Sequence, residues 1–518
     1  MAILFRHAMK PLLLLVSSFG MASLRSLLRS STRFAVLAVS LGSALVSSLA
    51  AKPPNILLIL TDDQGWPTLG CYGSKKVPTP NLDRLAAEGA RFTDSYVMSQ
   101  CTPTRAALLT GQHSARNGMW HVIPWYGSPW ARLAEPAYRE QLSREMPNLP
   151  KSLRAAGYAT GMAGKWHLTT GADGDYVQLK AGEAFGFDFV APRGPGSQNE
   201  GDKWVDHLTD QTIQFMRVHR GQPWFFYLAH HTLHGVVSAP ADLIQKHRDA
   251  GAPESGMFNA TYLAAIEYMD RSIGRLMTAL DETQQRENTL VVFLSDNGGV
   301  DTVYSPPGLI GDPTDGSVPL KVKLEEFDNA PLRAGKGSAY EGGIRVPCIV
   351  RWPAQVKEGQ VIETPVHVTD WMPTLLAAAG RDTDTPVCDG MNLLPLLQGG
   401  RIPQRPLFFY MPFYELRWCV TPCAVIREGD WKLIESFGDW FDDQPRYHTG
   451  HKLELFNLRT DLGETQNLAD SEKDRAKALQ AKLQAWMKSI PAPIPGENPH
   501  FDAQRMLEET KVKQAWNR

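Results

Sequence analysis

Cys101-Thr102-Pro103-Thr104-Arg105, running on into Ala106-Ala107-Leu108-Leu109-Thr110-Gly111, reads as the start of a helix with reactive chemistry at its tip. Thr102 is placed to cap it, Pro103 suits the first turn, and the Ala-Leu run propagates it. Cys101 then sits where free N–H groups and the positive end of the helix dipole stabilise an anion. Arg105 follows one turn later on the same side. A nucleophile or an anion site suits that position; a buried structural cysteine is the plainer alternative. Asp62 and Asp63 are adjacent carboxylates at the end of an apolar run, which is costly unless something neutralises them. A hard cation held by oxygen ligands is the usual solution, a solvated turn the other. Asp296 and Asn297 repeat the arrangement after a second apolar run, and His230, His231 and His234 follow a third.

The elements that must carry these residues are legible around them. Asn55–Leu60, Trp224–Ala229 and Thr289–Leu294 are continuously apolar, as strands buried on both faces of a parallel sheet are. Phe92–Val97 is a shorter strand leading to Cys101. Thr79–Gly89 is a capped helix closed by glycine, Pro150–Gly157 a short helix, Thr261–Thr283 a longer one with helical apolar spacing, and Asp370–Leu376 a short capped helix. Strand–helix alternation predicts an α/β fold, a mainly parallel central sheet sandwiched by helices. Sites in such folds lie at the carboxyl ends of strands, where Asp62, Asp63, His234, Asp296 and Asn297 all fall. Residues 301–333 read as a long irregular insertion. From about Arg405 the strands shorten (Ala424–Arg427, Trp431–Glu435), and Ser471–Ser489 is an amphipathic helix. The expected organisation is a signal peptide over 1–50, a catalytic domain over 51–404, a smaller C-terminal α+β subdomain with an antiparallel sheet and a terminal helix over 405–490, and a Pro-rich tail over 491–518.

Composition bounds the function. The 518 residues are 43% hydrophobic and 21% charged, an ordinary globular mixture, with a net charge of −2. Five basic residues and no acids fall within 1–50, so the remainder carries about −7, which gives no reason to expect nucleic-acid binding. Arg25, Arg29 and Arg33 precede the apolar stretch Phe34–Ala50, which ends in Ser48-Leu49-Ala50. This predicts a secretory signal peptide cleaved after Ala50, with Met21 an alternative start, and a secreted or periplasmic protein with no stable membrane insertion after cleavage. A membrane anchor is the alternative, but the stretch is broken by Ser and Gly and is shorter than the ~20 residues a span needs. The six cysteines are too few for a disulfide scaffold. Cys419 and Cys423 either bridge or simply pack. The aromatic loop Met119–Trp130 is either a sugar-stacking wall, with Trp120, His121, Trp125, Tyr126 and Trp130, or loop packing.

Cys-x-Pro-x-Arg followed by Ala-x-Leu-Leu-Thr-Gly resembles the signature of the type I sulfatases, in the alkaline phosphatase superfamily. Thr104 stands where serine is usual, and both carry a hydroxyl. Gly157-Tyr158-x-Thr160-x-x-x-Gly164-Lys165-x-His167 follows the family's second signature, and Lys165 and His167 alternate there so that both can face one pocket. Gly335-Lys336-Gly337 through Pro347 resembles the segment supplying a second active-site lysine, and Leu453–Leu468 resembles the family's C-terminal subdomain. The resemblance spans about residues 53–490. It implies that Cys101 is oxidised to formylglycine by a formylglycine-generating enzyme. It also implies one calcium ion held by Asp62, Asp63, Asp296 and Asn297, with residue 101 a further ligand. A hydroxyl of the formylglycine hydrate would attack sulfur. Arg105 would orient that residue, Lys165 and Lys336 would neutralise sulfate oxygens, and His234, alone or with Lys336, would protonate or contact the departing alcohol. His167 would take a proton from the second hydroxyl, expelling sulfate. Gly235 follows His234 where the family often has proline nearby, and His231 is the alternative leaving-group residue. The implied substrate is a sulfate ester, of a carbohydrate or an aryl alcohol. The other readings are a phosphate or phosphonate monoester hydrolase of the same superfamily, and an inactive secreted glycan-binding homologue should Cys101 remain a thiol.

Overall fold

A computed structural model of the chain describes residues 52–124, 127–170, 177, 179–196, 201–305, 321–381, 387–502 and 505–506. The expected signal peptide lies outside the described residues. No described helix is long and apolar enough to cross a membrane.

The central sheet is built from β1 (Asn55–Thr61), β2 (Ala90–Tyr96), β3 (Ala159–Gly164), β4 (Phe189–Val190), β5 (Trp224–Ala229), β6 (Thr289–Ser295), β7 (Arg345–Arg351), β8 (Gln360–Ile362) and β9 (Val366–His367). Its order is β8-β2-β7-β6-β1-β5-β3-β4, with β9 also pairing β2. The pairs around β1 are parallel, and β7 runs antiparallel to both β6 and β2. The apolar runs form the three central strands because each must bury both faces. Ile56, Leu58 and Leu60 enter one core, Leu57 and Ile59 the other. Fully burying such a side chain contributes about 1.5–3 kcal/mol. Leu82, Leu208, Phe215, Met269 and Ile273 from the helices Pro80–Ala87, Val205–Val218 and Ala260–Glu282 cover one face. Leu108, Leu153 and Trp371 from Cys101–Thr110, Leu149–Ala155 and Trp371–Ala378 cover the other.

The C-terminal region forms a second sheet of four antiparallel strands, Leu407–Met411, Cys423–Glu428, Trp431–Ser436 and Lys452–Asn457. The helix Lys473–Ser489 buries Ala476, Leu479, Leu483 and Met487, one face at helical spacing. Two expectations are corrected. Gln100, not Thr102, is the N-cap of the Cys101–Thr110 helix: its backbone is extended (φ −143°, ψ 161°) and Thr102 already lies within the first turn, where its hydroxyl donates to the His167 carbonyl at 3.1 Å. The 301–333 insertion is not irregular throughout: Thr302–Ser305 and Lys321–Glu325 pair as a hairpin, with 306–320 outside the described residues. Of the two readings for Cys419 and Cys423, packing holds: they do not bridge, and all six cysteines are free.

Candidate active site

Strand register assembles the site. Leu60 pairs with Ala229 and Thr61 with Ser295, while Gly164 pairs with Ala229. The ladder continues one step further: Asp296 N donates to Thr61 O, His230 N to Leu60 O, and Lys165 N to Ala229 O. Four strand ends therefore deliver Asp62, Asp296, the histidine loop and Lys165 to one place. In extended chain the side chains of Asp62 and Asp63 would point to opposite faces. Asp63 instead has a left-handed backbone, φ 60°, and both carboxylates turn into the site. At Gly298 a Cβ would lie 1.6 Å from the Gly342 carbonyl, so glycine permits the close approach of the segment carrying Lys336.

Charges then interlock. Lys165 Nζ lies 2.6 Å from Asp62 Oδ2, and Lys336 Nζ lies 2.7 Å from Asp63 Oδ1. Arg105 contacts Asp296 Oδ2 through Nη2 at 2.7 Å and Nε at 3.0 Å, and donates to the Lys165 carbonyl at 2.9 Å. Asn297 Nδ2 donates to Asp63 Oδ1 at 2.7 Å. Burial alone would raise Asp62, but the Lys165 ammonium, with His234, Arg105 and His231, holds its carboxyl well below the usual range. Burial and the charge on Asp62 push Asp296 well up despite Arg105. Burial also raises Asp63, with Lys336 opposing and Asp62 reinforcing. Asp63 and Asp296, raised by burial and by the Asp62 charge, call for additional positive charge beside them. The donor set agrees. The buried oxygens Asp62 Oδ1 and Asn297 Oδ1 have no hydrogen-bond partner among the described residues. Ligand atoms of Asp62, Cys101 and Asp296 lie within 4.8 Å of one another. An oxygen-rich cluster with orphaned buried oxygens fits a hard divalent cation such as calcium.

The histidines separate by environment. His230 is turned away, its Nε2 3.2 Å from Ser272 Oγ, and burial lowers it to about 4. His231 Nε2 is 3.7 Å from Asp62 Oδ2. The half-buried His234 ring stands 4.9 Å from His231, and both share with Asp62 a cluster within 4.8 Å. Burial, then Lys165, lowers both rings well below the ordinary histidine value. His167 is left-handed, φ 52°, beyond the end of β3, so strand alternation does not place it. Its Nε2 is 2.7 Å from the Ile123 carbonyl, while its own carbonyl accepts from Thr102 beside Cys101.

The sugar-stacking wall finds no support in the described aromatics. Trp120 and His121 are buried and pack edge-on against Tyr410 and Phe413. Trp130 packs in a satellite core beneath Arg505. Trp125 and Tyr126 lie outside the described residues. Three neighbours were not anticipated from the sequence. Tyr227 OH is 3.4 Å from Arg105 Nη1. Glu326, raised to about 7 by burial and then by Asp63, extends the acidic side. Lys203, lowered to about 8 by burial with Asp62 opposing, lies under the His234 loop. Tyr227 could have been found as the inward residue two before Ala229; Lys203 and Glu326 carry no local signal.

A helix-tip cysteine, an oxygen-ligand cluster and three buried cations converging on strand ends define a metal-assisted hydrolase site for anionic esters. The chain belongs to the sulfatase family, the sulfuric ester hydrolases: the family model described as Sulfatase matches residues 54–381, and one described as N-sulphoglucosamine sulphohydrolase, C-terminal, matches 335–491. Arylsulfatase A of Bos taurus is 33% identical over 493 residues, covering 85% of this chain and 89% of that protein. N-acetylgalactosamine-6-sulfatase of Homo sapiens is 34% identical over 399 residues, covering 70% and 69%. The solved structure of Ps i-CgsB superposes with a TM-score of 0.65 at 25% identity, covering 90% of this chain and 98% of that one.

Proposed function

We propose that this sulfatase is a secreted or periplasmic enzyme that desulfates carbohydrates, and aryl sulfates as well, with Cys101 converted to formylglycine. The observation that carries the reading is the position of Cys101. It is buried at a helix tip, its thiol is clustered with the Asp62 and Asp296 carboxylates, and Arg105 one turn on is anchored to Asp296. A thiol has no second hydroxyl with which to expel bound sulfate, whereas a formylglycine hydrate does. Asp62, Asp63, Asp296 and Asn297, with residue 101, would hold one calcium ion. Bound there, calcium would polarise a sulfate oxygen and favour an ionised nucleophile at residue 101. Arg105 orients residue 101. Lys165 and Lys336 balance the sulfate charge. His234, alone or with Lys336, protonates or contacts the departing oxygen, and His167 accepts the proton from residue 101. The names of the relatives, an N-acetylgalactosamine-6-sulfatase and arylsulfatases, support sugar and aryl substrates. The arginine-flanked apolar leader supports export, with a formylglycine-generating enzyme as maturation partner. We take 51–404 as the catalytic domain, 405–490 as its C-terminal subdomain and 491–518 as a tail.

Mass spectrometry of the Cys101 peptide, alongside a panel of sulfated mono- and oligosaccharides and an aryl sulfate, tests the proposal. The aldehyde form should accompany sugar desulfation, and Cys101→Ala should fold yet be inactive. An active enzyme with an unmodified thiol, or an active Cys101→Ala, would refute it.

A further inference from the structure

Lys203 is a buried lysine that none of the roles above uses. It is 1% exposed, and lysine is almost never sealed in unless paired. Its Nζ donates to the His234 carbonyl at 2.5 Å and to the Val236 carbonyl at 2.9 Å. One ammonium thus binds two carbonyls, two residues apart, in the loop between Ala229 and Ala241 that presents His234. A second tie runs parallel to it, from Ser238 Oγ to the Gly201 carbonyl at 2.8 Å.

The backbone at Lys203 is also unusual. Lys203 and Trp204 both have left-handed φ, 50° and 62°. Two consecutive non-glycine residues hold that conformation only where their surroundings over-determine it. Trp204 is pinned by its Nε1 donating to the Pro195 carbonyl at 2.8 Å. The helix Val205–Val218 then begins directly. The strained step therefore turns the lysine toward the histidine loop at the base of a rigid element.

At the far side of that loop, the His234 ring shares the Asp62 cluster with His231. A histidine ring is joined to its own carbonyl through Cα and Cβ. Fixing the carbonyl fixes the direction from which the ring enters the site. The other hydrogen bonds described for His234 stay within its own loop, its N–H donating to the Thr232 carbonyl at 2.9 Å and its ring Nδ1 meeting the Gly235 carbonyl at 2.9 Å; Lys203 ties it to a different element.

We propose that Lys203 is a positioning residue for His234, clamping the His234 and Val236 carbonyls so that the imidazole meets the leaving-group oxygen. The inference rests on the leaving-group role of His234 proposed above. Removing the ammonium leaves two carbonyls without their donor and frees the loop. The effect on catalysis then passes through the histidine alone. It should be large where the leaving alcohol needs a proton, as a sugar alcohol does, and small for nitrophenolate.

The test compares Lys203→Met, Lys203→Arg, His234→Ala and the Lys203→Met/His234→Ala double variant on a hexose sulfate and on 4-nitrophenyl sulfate, after melting curves confirm folding. Lys203→Met should lose at least about tenfold more kcat on the sugar sulfate than on the aryl sulfate. Lys203→Arg should recover part of the loss, and the double variant should be no more selective than His234→Ala. Should Lys203→Met not fold, Lys203→Gln serves the same comparison. Equal losses on both substrates, or a selective loss that adds fully to that of His234→Ala, would overturn the inference while leaving the histidine's role intact. An unselective His234→Ala would instead overturn the role of His234, and the inference with it.

Discussion

Lys432→Met tests how the C-terminal sheet supports the active site. Lys432 Nζ lies 3.0 Å from Glu341 Oε1 and 2.7 Å from Glu464 Oε1, and all three side chains are sealed from solvent. Glu464 also accepts from the Glu341 backbone N–H at 2.6 Å, and its carbonyl accepts from Arg333 at 2.9 Å. Arg333 and Glu341 flank Lys336, so both ends of the segment bearing that lysine are tied to the triad. Methionine keeps much of the volume and removes the charge. Stranding one partner of a buried ion pair typically costs about 3–5 kcal/mol.

Here pH sets the size of the loss. Burial, then Lys432 opposing and Glu341 reinforcing, raises Glu464 from its ordinary 4.5 to about 7. Its folded pKa lies above the unfolded one, so its contribution to stability is complete below 4.5 and lost as pH rises through about 7. Glu341 is the opposite case. Burial would raise it, but Lys432, Arg345 and Arg427 hold it near 2, so its contribution is present above 4.5 and lost only as pH falls through about 2. At about pH 5.5 the variant strands Glu341 alone, which still has Tyr96 OH at 2.6 Å and Arg345 Nη1 at 3.3 Å. The expected loss there is about 1–2 kcal/mol. At about pH 8 both acids are ionised in the native protein, and the loss should reach about 3–5 kcal/mol. It should not go far beyond, because a stranded carboxyl takes up a proton at about 1.4 kcal/mol per unit of pKa. Urea denaturation at the two pH values measures this. Below the unfolding transition, kcat/KM should also fall roughly tenfold or more through displacement of Lys336. A loss independent of pH, or below about 1 kcal/mol at the higher pH, refutes the reasoning.

Two further outcomes follow from the site. Chelation should lower both activity and melting temperature, and calcium should restore both better than zinc because the ligands are oxygens; an unchanged melting temperature in protein shown metal-free by elemental analysis would count against the cation site. His231→Ala should weaken sugar and nitrophenyl sulfates alike, since its Nε2, 3.7 Å from Asp62 Oδ2, bears on the carboxylate cluster that both substrates need; a loss confined to the sugar sulfate would transfer the leaving-group role to His231.

What could be read from the chain, and what could not, divides along physical lines. β1, β5 and β6 were legible because a strand buried on both faces must be apolar throughout, and the polar residues ending each run had to mark its carboxyl end. That logic located Asp62, Asp296 and the histidine loop independently of any family signature. It could not supply register. A shift of one residue between β1 and β6 would leave both apolar runs intact and carry Asp296 away from Asp62; only the ladder pairing Thr61 with Ser295 fixes their approach. Nor could it sort three histidines within five positions, since Ser272, which claims His230, lies 42 residues away. The Trp120 loop misleads for the same reason. Aromatics that would suit a sugar wall suit a core equally, and Tyr410 and Phe413, which bury them, come from the C-terminal region. Lys203 is the extreme case. Its partners are backbone carbonyls 31 and 33 residues on, and a carbonyl is present at every residue, so no choice of side chain at the far end could have pointed back to it.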